Sequence, residues 1–328
     1  MSAKVLIRPY NPNLDTGALL SLWQTALGDT WPMRDDLLWR QLTEHRFYRG
    51  DDHLVAVAGE EIVGFVGTQV DRWEGVPDNK RGGGISVVLV HPDWQRQGIG
   101  TRLHEAALAQ LRREGVQELR LGGGGAYRFW PGIPTDLPGA YEFFAACGWP
   151  LEPDRRSCDL VRDLSDFRVP SAMRARLAEE DITIRPARED EVEAVIAFEY
   201  EHFPGWAAGF VYMRELGDYQ NMLVAFDPDM GIVGTLMLHT PSSRWLTANV
   251  TWKTMLGDSL GGVSAVGVAE SERGRGIGIG MVAVGSDVLR ARRRQLPHRL
   301  DEHRRLLRQA GLHGLAGVLD EHAKTFLN

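Results

Sequence analysis

At 328 residues the chain exceeds the roughly 100–200 residues of an ordinary domain, so two domains are expected. An apolar content of 43% and a charged content of 25% are those of a soluble globular protein and exclude disorder, collagen and coiled coil. A net charge of −7 lacks the basic excess of a general nucleic-acid surface, which makes DNA or RNA an unexpected partner.

Apolar periodicity and turn signals then give the elements in chain order. A strand near 4–10 leads to amphipathic helices near 14–27 and 35–46, then strands near 53–58, 61–70 and 84–91, with Gly59-Glu60 turning the middle pair into a hairpin. A helix follows Gly98 to about Glu114, with Leu103, Ala106, Ala107, Leu108 and Leu111 on one face; a strand near 117–123 and a helix near 137–147 come next. Ser165 to Asp181, with Pro170 and an alanine- and arginine-rich stretch able to form a short helix, reads as a linker. The order then restarts: a strand at 182–187, helices near 189–202 and 207–217, a hairpin of 221–227 with 231–239, a strand near 261–269 and a helix from 277.

The restart is visible in the residues themselves. Val5-Leu6-Ile7-Arg8-Pro9 recurs as Ile182-Thr183-Ile184-Arg185-Pro186, and VVLVHPDWQRQGIG at 87–100 recurs as AVGVAESERGRGIG at 265–278. Two matches at nearly one offset imply a duplicated domain. The expected division is 1–164, a linker 165–181, and 182–328, each domain a mixed α/β (α+β) sheet.

Within the longer match, Gln95-Arg96-Gln97-Gly98-Ile99-Gly100 and Arg273-Gly274-Arg275-Gly276-Ile277-Gly278 each join a strand to a helix. Glycines there let the backbone approach an anion, while unpaired N–H groups and the positive end of the helix dipole favour a diphosphate. Arg96, Arg273 and Arg275 add charge, or are merely solvated. A tight strand-to-helix turn with no ligand is the bland alternative for one such string; two in the same context favour the cradle. A Rossmann turn would follow the first strand of a parallel unit, whereas these follow the fourth strand of each copy. No Gly-Lys-Ser/Thr closes either motif as a nucleotide-triphosphate loop would require.

The element order and the pattern V-x-P-x-x-[Q/R]-x-x-G-x-G resemble the GCN5-related N-acetyltransferase (GNAT) superfamily. Val90, Pro92, Gln95, Gly98 and Gly100 match in the first copy; Val268, Arg273, Gly276 and Gly278 match in the second, where Glu270 replaces the usual proline. The resemblance spans about 4–163 and 182–293 and implies two tandem acyl-CoA N-acyltransferase domains. It implies that acetyl-CoA is the cosubstrate, with its pyrophosphate at the Gly98 and Gly276 loops. Leu89 and Val90, with Gly267 and Val268, would receive the pantetheine arm. The implied cofactor-binding set is Leu89, Val90, Gln95, Arg96, Gln97, Gly98, Ile99, Gly100, Thr101, Val268, Arg273, Gly274, Arg275, Gly276, Ile277 and Gly278, with no metal.

Attack of an amine on a thioester needs a base, a donor for the oxyanion, and often an acid for the thiolate. The resemblance places that acid on a late-helix tyrosine in F-Y-x-x-x-G-[F/Y], and here the position is Phe144, in Phe143-Phe144-Ala145-Ala146-Cys147-Gly148-Trp149. Tyr141, one turn away, and Tyr127 are substitutes, each with packing as the alternative. Glu74, Asp71 and His91 are candidate bases in the first copy and His239 and Glu270 in the second, each with a solvated surface role as the alternative. Of these, Glu74, His91 and Tyr141 are the expected catalytic residues. The loop from Gly122 to Pro134, dense in glycine and aromatics, either covers a substrate pocket or caps the core.

The second copy does not end as the family pattern would. Residues 292–328 are rich in Arg, His and Leu; they either diverge into helices such as 300–310 and 315–326, or are a frameshifted tail in which the tyrosine of F-Y would fall across the codons of Leu307 and Arg308. A copy lacking its late strands would leave a sheet edge open to association. Two cysteines, Cys147 and Cys158, no metal-ligand spacing, no signal-like segment and no apolar run of about 18 residues make a cytoplasmic protein off the membrane the expectation. The function expected is acetyl-CoA-dependent N-acetylation of an amine on a small molecule or peptide, by a homodimer or a monomer with an internal pseudo-dimer. The competing expectation is a non-catalytic acyl-CoA-binding or scaffold protein.

Overall fold

The repeated Arg-Pro start opens each of two sheets and is held the same way in both. A computed structural model describes residues 4–44, 47–72, 81–122, 127–152, 156–246, 249–293 and 324–327. They fall into two units: Met1–Leu160 with Val250–Met255 and His322–Asn328, and Val161–Asn249 with Leu256–Glu321.

In the first unit β1 (Val5–Pro9), β2 (His53–Ala58), β3 (Glu61–Val70), β4 (Gly82–Val90) and β5 (Glu118–Leu121) form one sheet in that order. The first four are antiparallel neighbours and β5 runs parallel to β4. Arg8 donates to both carboxylate oxygens of Asp15 at 2.6 and 2.9 Å, pinning β1 to α1 (Pro12–Leu27). That helix starts where Asn11 accepts from the Asn13 N–H, with Pro12 in the first turn, where its missing N–H costs nothing. Apolar residues of β2, β3 and β4 meet Ile99, Leu103, Ala107 and Leu111 of α3 (Ile99–Arg113) to make the core.

α2 (Asp35–Leu42) ends short of the expected 46, because Thr43 leaves helical geometry and turns its hydroxyl back to the Trp39 carbonyl at 2.9 Å. After α4 (Pro138–Ala146) come features that periodicity did not signal. The short strands β6 (Ile133–Pro134) and β7 (Arg156–Asp159) flank β12 (Lys324–Leu327), which pairs antiparallel with both. The end of the expected helix 315–326 is therefore strand: Thr325 and Phe326 suit an extended, paired chain. The rest of that tail, including Leu307 and Arg308, lies outside the described residues. Trp252 of α8 (Asn249–Leu256) donates to Asp159 at 2.8 Å and meets Trp31 edge-on, an aromatic anchor in the first unit that no periodicity marked.

In the second unit β8 (Thr183–Pro186), β9 (Met222–Asp227), β10 (Gly231–His239) and β11 (Gly262–Val268) form an antiparallel sheet in the order β11-β10-β9-β8. Arg185 grips both oxygens of Glu191 at 2.7 Å each, the counterpart of Arg8 and Asp15, ahead of α6 (Val192–His202). α7 (Pro204–Glu215) follows, and α9 (Ile277–Arg293) covers the sheet with Ile277, Met281 and Leu289. The expected linker falls in this unit: α5 (Ser171–Glu179) puts Leu177 and Met173 into its core.

Candidate functional site

The first glycine turn lies beside a break in the sheet. β5 pairs with β4 only from Gly82 to Ile85, and the last such bond runs from the Gly122 N–H to the Ile85 carbonyl at 2.9 Å. Past Ile85, β4 runs on to Val90 without β5. Opposite this stretch the register with β3 slips, Gly67 facing Val87 while Thr68 faces Ile85, so Ser86 is an extra residue on β4. A bulge of this kind re-aims the strand beside it. A cavity of about 1280 Å³ opens there, lined by β4 from Ile85 to Val90, by Gln95, Arg96, Gly98, Gly100 and Thr101, and by α4 around Phe143 and Phe144.

The backbone of the turn has the geometry its residues dictate. Gly98 sits at φ 77°, where a side chain would be strained, and a Cβ at Gly100 would lie 3.2 Å from the Phe143 ring. Arg102 is the first residue to give its N–H to a carbonyl of the turn, that of Gly98, so the amides from Gly98 to Thr101 are the orphan donors of the helix start. Arg96, itself at φ 60°, is exposed at the cavity mouth. Gln95 reaches back to the Val90 carbonyl at 3.1 Å and Gln97 to the Asp93 carbonyl at 3.1 Å, so both tie the turn down; the side chain of Ile99 is buried in the core. Leu89 and Val90 lie on the part of β4 that, among the described residues, pairs with β3 alone.

The second turn is built alike and filled differently. Arg273 reaches the Val268 carbonyl at 3.4 Å as Gln95 reaches Val90, Gly280 gives its N–H to Gly276, and Gly278 packs on Val268. Against this turn lies Arg176 of α5. Its guanidinium donates to the Gly274 carbonyl at 2.7 Å, and its Nε is 2.7 Å from where a Cβ on Gly276 would be. Arg275 is bound to Glu180 at 2.8 Å, Asp227 at 3.2 Å and Glu272 at 2.5 Å, bonds to three carboxylates that hold its pKa above the usual guanidinium value. Ile277 is core.

The catalytic candidates do not converge. Glu74 lies outside the described residues. His91 caps a short turn, its Nδ1 accepting from the Asp93 N–H at 3.3 Å, and does not line the cavity; neither does Tyr141 of α4. Asp71 is held by Arg120; burial pushes its carboxyl up, against the pull of that guanidinium. His239 is bonded to Ser264 at 2.8 Å, and Glu270 opens the turn before Arg273. Sequence reasoning passed over His104, which sits on the buried face of α3 and lines the cavity. Its signal was an imidazole beside Leu103 and Ala107 on the buried helix face just past the glycine turn. Trp130, in the aromatic loop, lines the cavity while its ring stacks on Trp23 at 5.7 Å, so that residue both packs and lines. Among the described residues no cluster of metal-ligating side chains is present, and no helix is long and apolar enough to cross a membrane.

A sheet that parts after its fourth strand, with an anion-ready turn feeding a helix at the parting, is an arrangement suited to an acyltransferase whose acyl donor carries a diphosphate. Residues 17–130 match the family described as Acetyltransferase (GNAT) family, and the chain belongs to the GCN5-related N-acetyltransferase superfamily. It is similar to mycothiol acetyltransferases of Mycolicibacterium paratuberculosis and Mycolicibacterium gilvum, 28% identical to each, over 76% and 73% of this chain and 70% of each relative. Among solved structures, it resembles a GCN5-related glucosamine N-acetyltransferase region of a fungal multi-domain GH3 beta-N-acetylglucosaminidase, with a TM-score of 0.82, 31% identity and all of this chain covered. The chain spans 38% of that fungal protein. A GCN5-related N-acetyltransferase from Sphaerobacter thermophilus shares the fold at a TM-score of 0.59 and 18% identity, over 98% of this chain and 94% of that one.

Proposed function

We propose that the chain is an acetyl-CoA-dependent N-acetyltransferase of two tandem GNAT domains, with one working donor site, in the first unit, and an amine on a sugar-like acceptor as substrate. The observation that carries this reading is the contrast between the turns: orphan amides and an unpaired strand edge share one cavity at Gly98, while Arg176 lies on the turn at Gly276. The Gly98 to Thr101 amides and Arg96 would hold the pyrophosphate, and the edge of β4 turned away from β3 past Ile85 would take the pantetheine amides by strand-like hydrogen bonds. The cosubstrate supplies an activated acetyl thioester. Backbone N–H groups around the Ser86 bulge would serve a developing oxyanion, a role that needs no side chain.

The amino-sugar class rests on the fungal relative, which is similar over this whole chain. The first unit suits a polar acceptor: next to the main cavity and sharing Ser86 with it is a small one lined by Asp52, His53, Thr68, Gln69, Asp71 and Tyr127. Calorimetry with acetyl-CoA, followed by thiol release over a panel of amines that includes glucosamine, tests the reading. One bound equivalent per chain and turnover with the amino sugar are expected. No binding, or two equivalents of equal affinity, would sink it. Phe144 in the tyrosine position favours the competing reading of a non-catalytic acyl-CoA-binding protein, for which binding without turnover on any amine is the signature.

A further inference from the structure

α3 carries His104 six residues past Gly98, on the face that meets both the cavity and α4. The indole Nε1 of Trp149 donates to His104 Nε2 at 2.8 Å. An indole N–H can only donate, so Nε2 must present its lone pair, and the neutral ring carries its proton on Nδ1. Phe143, Phe144 and Trp149 pack around the ring at centroid distances of 6.2, 6.5 and 6.2 Å, fixing its plane. Burial lowers the pKa of this imidazole, partly opposed by Glu105, and a second proton at Nε2 would face the indole proton, so the ring stays neutral. Among the described residues its side chain is hydrogen-bonded at Nε2, to Trp149. The result is a rigid neutral donor on the wall of a cavity where Phe144 has no proton to offer.

We propose that His104 Nδ1–H donates a hydrogen bond to the sulfur leaving the acetyl group, with Trp149 as the positioning residue that fixes its tautomer. This rests on the donor-site reading above. In the transfer the amine lone pair attacks the thioester carbonyl, the C–N bond forms and the C–S bond breaks with its electron pair passing to sulfur. The surplus proton on nitrogen goes to solvent, and the thiolate is later protonated from solvent. His104 keeps its proton throughout: a neutral imidazole stabilises the thiolate without titrating, unlike a tyrosine acid.

Ultraviolet titration of the thiolate of bound CoA, with desulfo-CoA as the blank that cancels the two cysteines and the tyrosines of the chain, reads this bond without turnover. In the wild-type protein the bound thiol is expected to ionise below free CoA. In His104→Phe its pKa should rise by about 1–2 pH units, the size of a hydrogen bond to a charged group. His104→Asn, which keeps a donor near Nδ1, should restore part of the difference, and Trp149→Phe should lose part of it. In turnover His104→Phe should lower kcat by about 10–100-fold with CoA affinity nearly unchanged. If His104→Phe does not fold, the Asn and Trp149→Phe proteins carry the comparison. CoA that binds with the same thiol pKa in wild type and variants overturns the proposal; CoA that fails to bind the wild-type protein overturns the donor-site reading instead.

Discussion

The two glycine turns share spacing, left-handed glycine and helix start, yet one opens on a cavity and the other has a guanidinium against it. What separates them is the company each keeps. Beside the Gly98 turn, β4 past Ile85 has no outer neighbour among the described residues, and α4 forms a wall of the cavity. At the Gly276 turn, a helix inserted ahead of the repeat supplies Arg176, and Glu180 and its backbone hold Arg275. Arg176 cannot pair with the turn's N–H donors, since a guanidinium only donates, but its bulk fills the space an anion would take, and Arg275 is held by carboxylates. A motif thus defines a cradle only together with what is left empty around it.

The strongest way to break this contrast is to damage each turn alike. Gly98→Val places a β-branched residue at φ 77° and shifts the amides that face the cavity. Losing one or two charge-assisted hydrogen bonds to pyrophosphate should weaken acetyl-CoA binding on the order of 100-fold. Gly276→Val, strained in the same way at φ 84°, should lower the melting temperature yet leave acetyl-CoA affinity within about twofold. Calorimetry on both proteins decides; equal losses of affinity would mean that the turns work as a pair. Arg176→Ala sharpens the point: with its guanidinium gone, weak pyrophosphate binding should appear at the second turn, read as a second calorimetric phase.

A second contrast is electrostatic. The first unit buries its charges in a network in which Arg72 spans Asp52 and Glu114 at 2.6 and 2.9 Å. The second buries Glu199 with no cation beside it among the described residues: it is fully enclosed, it accepts from the Thr235 hydroxyl, and its Oε2 has no partner among those residues. Burial pushes this carboxyl up to about 7, only partly offset by Thr235. A raised carboxyl favours the protonated, folded form. Its contribution is therefore complete below the unfolded value near 4.5 and fades as pH rises through about 7. The second unit should lose on the order of 2–3 kcal/mol between pH 4.5 and 8, and Glu199→Gln should remove most of that slope. Calorimetric melting against pH checks it; parallel slopes for the two proteins would show that Glu199 is not the titrating group.

Much of this was legible in the residues because it is local. The repeated Arg-Pro strand, the hairpin at Gly59 and the strand, turn and helix around Gly98 follow from spacing and turn chemistry. What was not legible depends on chain distant in sequence. Nothing near residue 324 announces that a four-residue strand will pair with residues 133–134 and 156–159. Nothing near residue 176 marks it as the neighbour of a glycine 100 positions on, and the stretch read as a spacer because its apolar face is only Met173 and Leu177. His104 was passed over for a related reason: its role depends on Trp149, which is local to it only after folding.

The smallest expected effects come from the mirrored ion pairs, where the contrast should nearly vanish. Arg8 and Asp15 in one unit, and Arg185 and Glu191 in the other, each join the first strand to the helix after it with two short bonds, and each carboxylate also accepts a backbone N–H, from Asn11 and from Arg188. Arg185 holds the Glu191 carboxyl down at about 2; at Asp15 burial pulls the other way, but Arg8 and the Asn11 amide outweigh it. A lowered carboxyl stabilises the folded chain above its unfolded value, and that contribution is lost as pH falls through the folded one, for Glu191 between about 4.5 and about 2. Since both arginines are partly exposed, Asp15→Asn and Glu191→Gln should each cost only about 1 kcal/mol at pH 7 and less on the acid side of that window. Denaturant melts of the two variants at pH 7 and pH 3 measure it. A cost at one pair several times that at the other would show that the shared sequence of the two strands does not carry a shared energy.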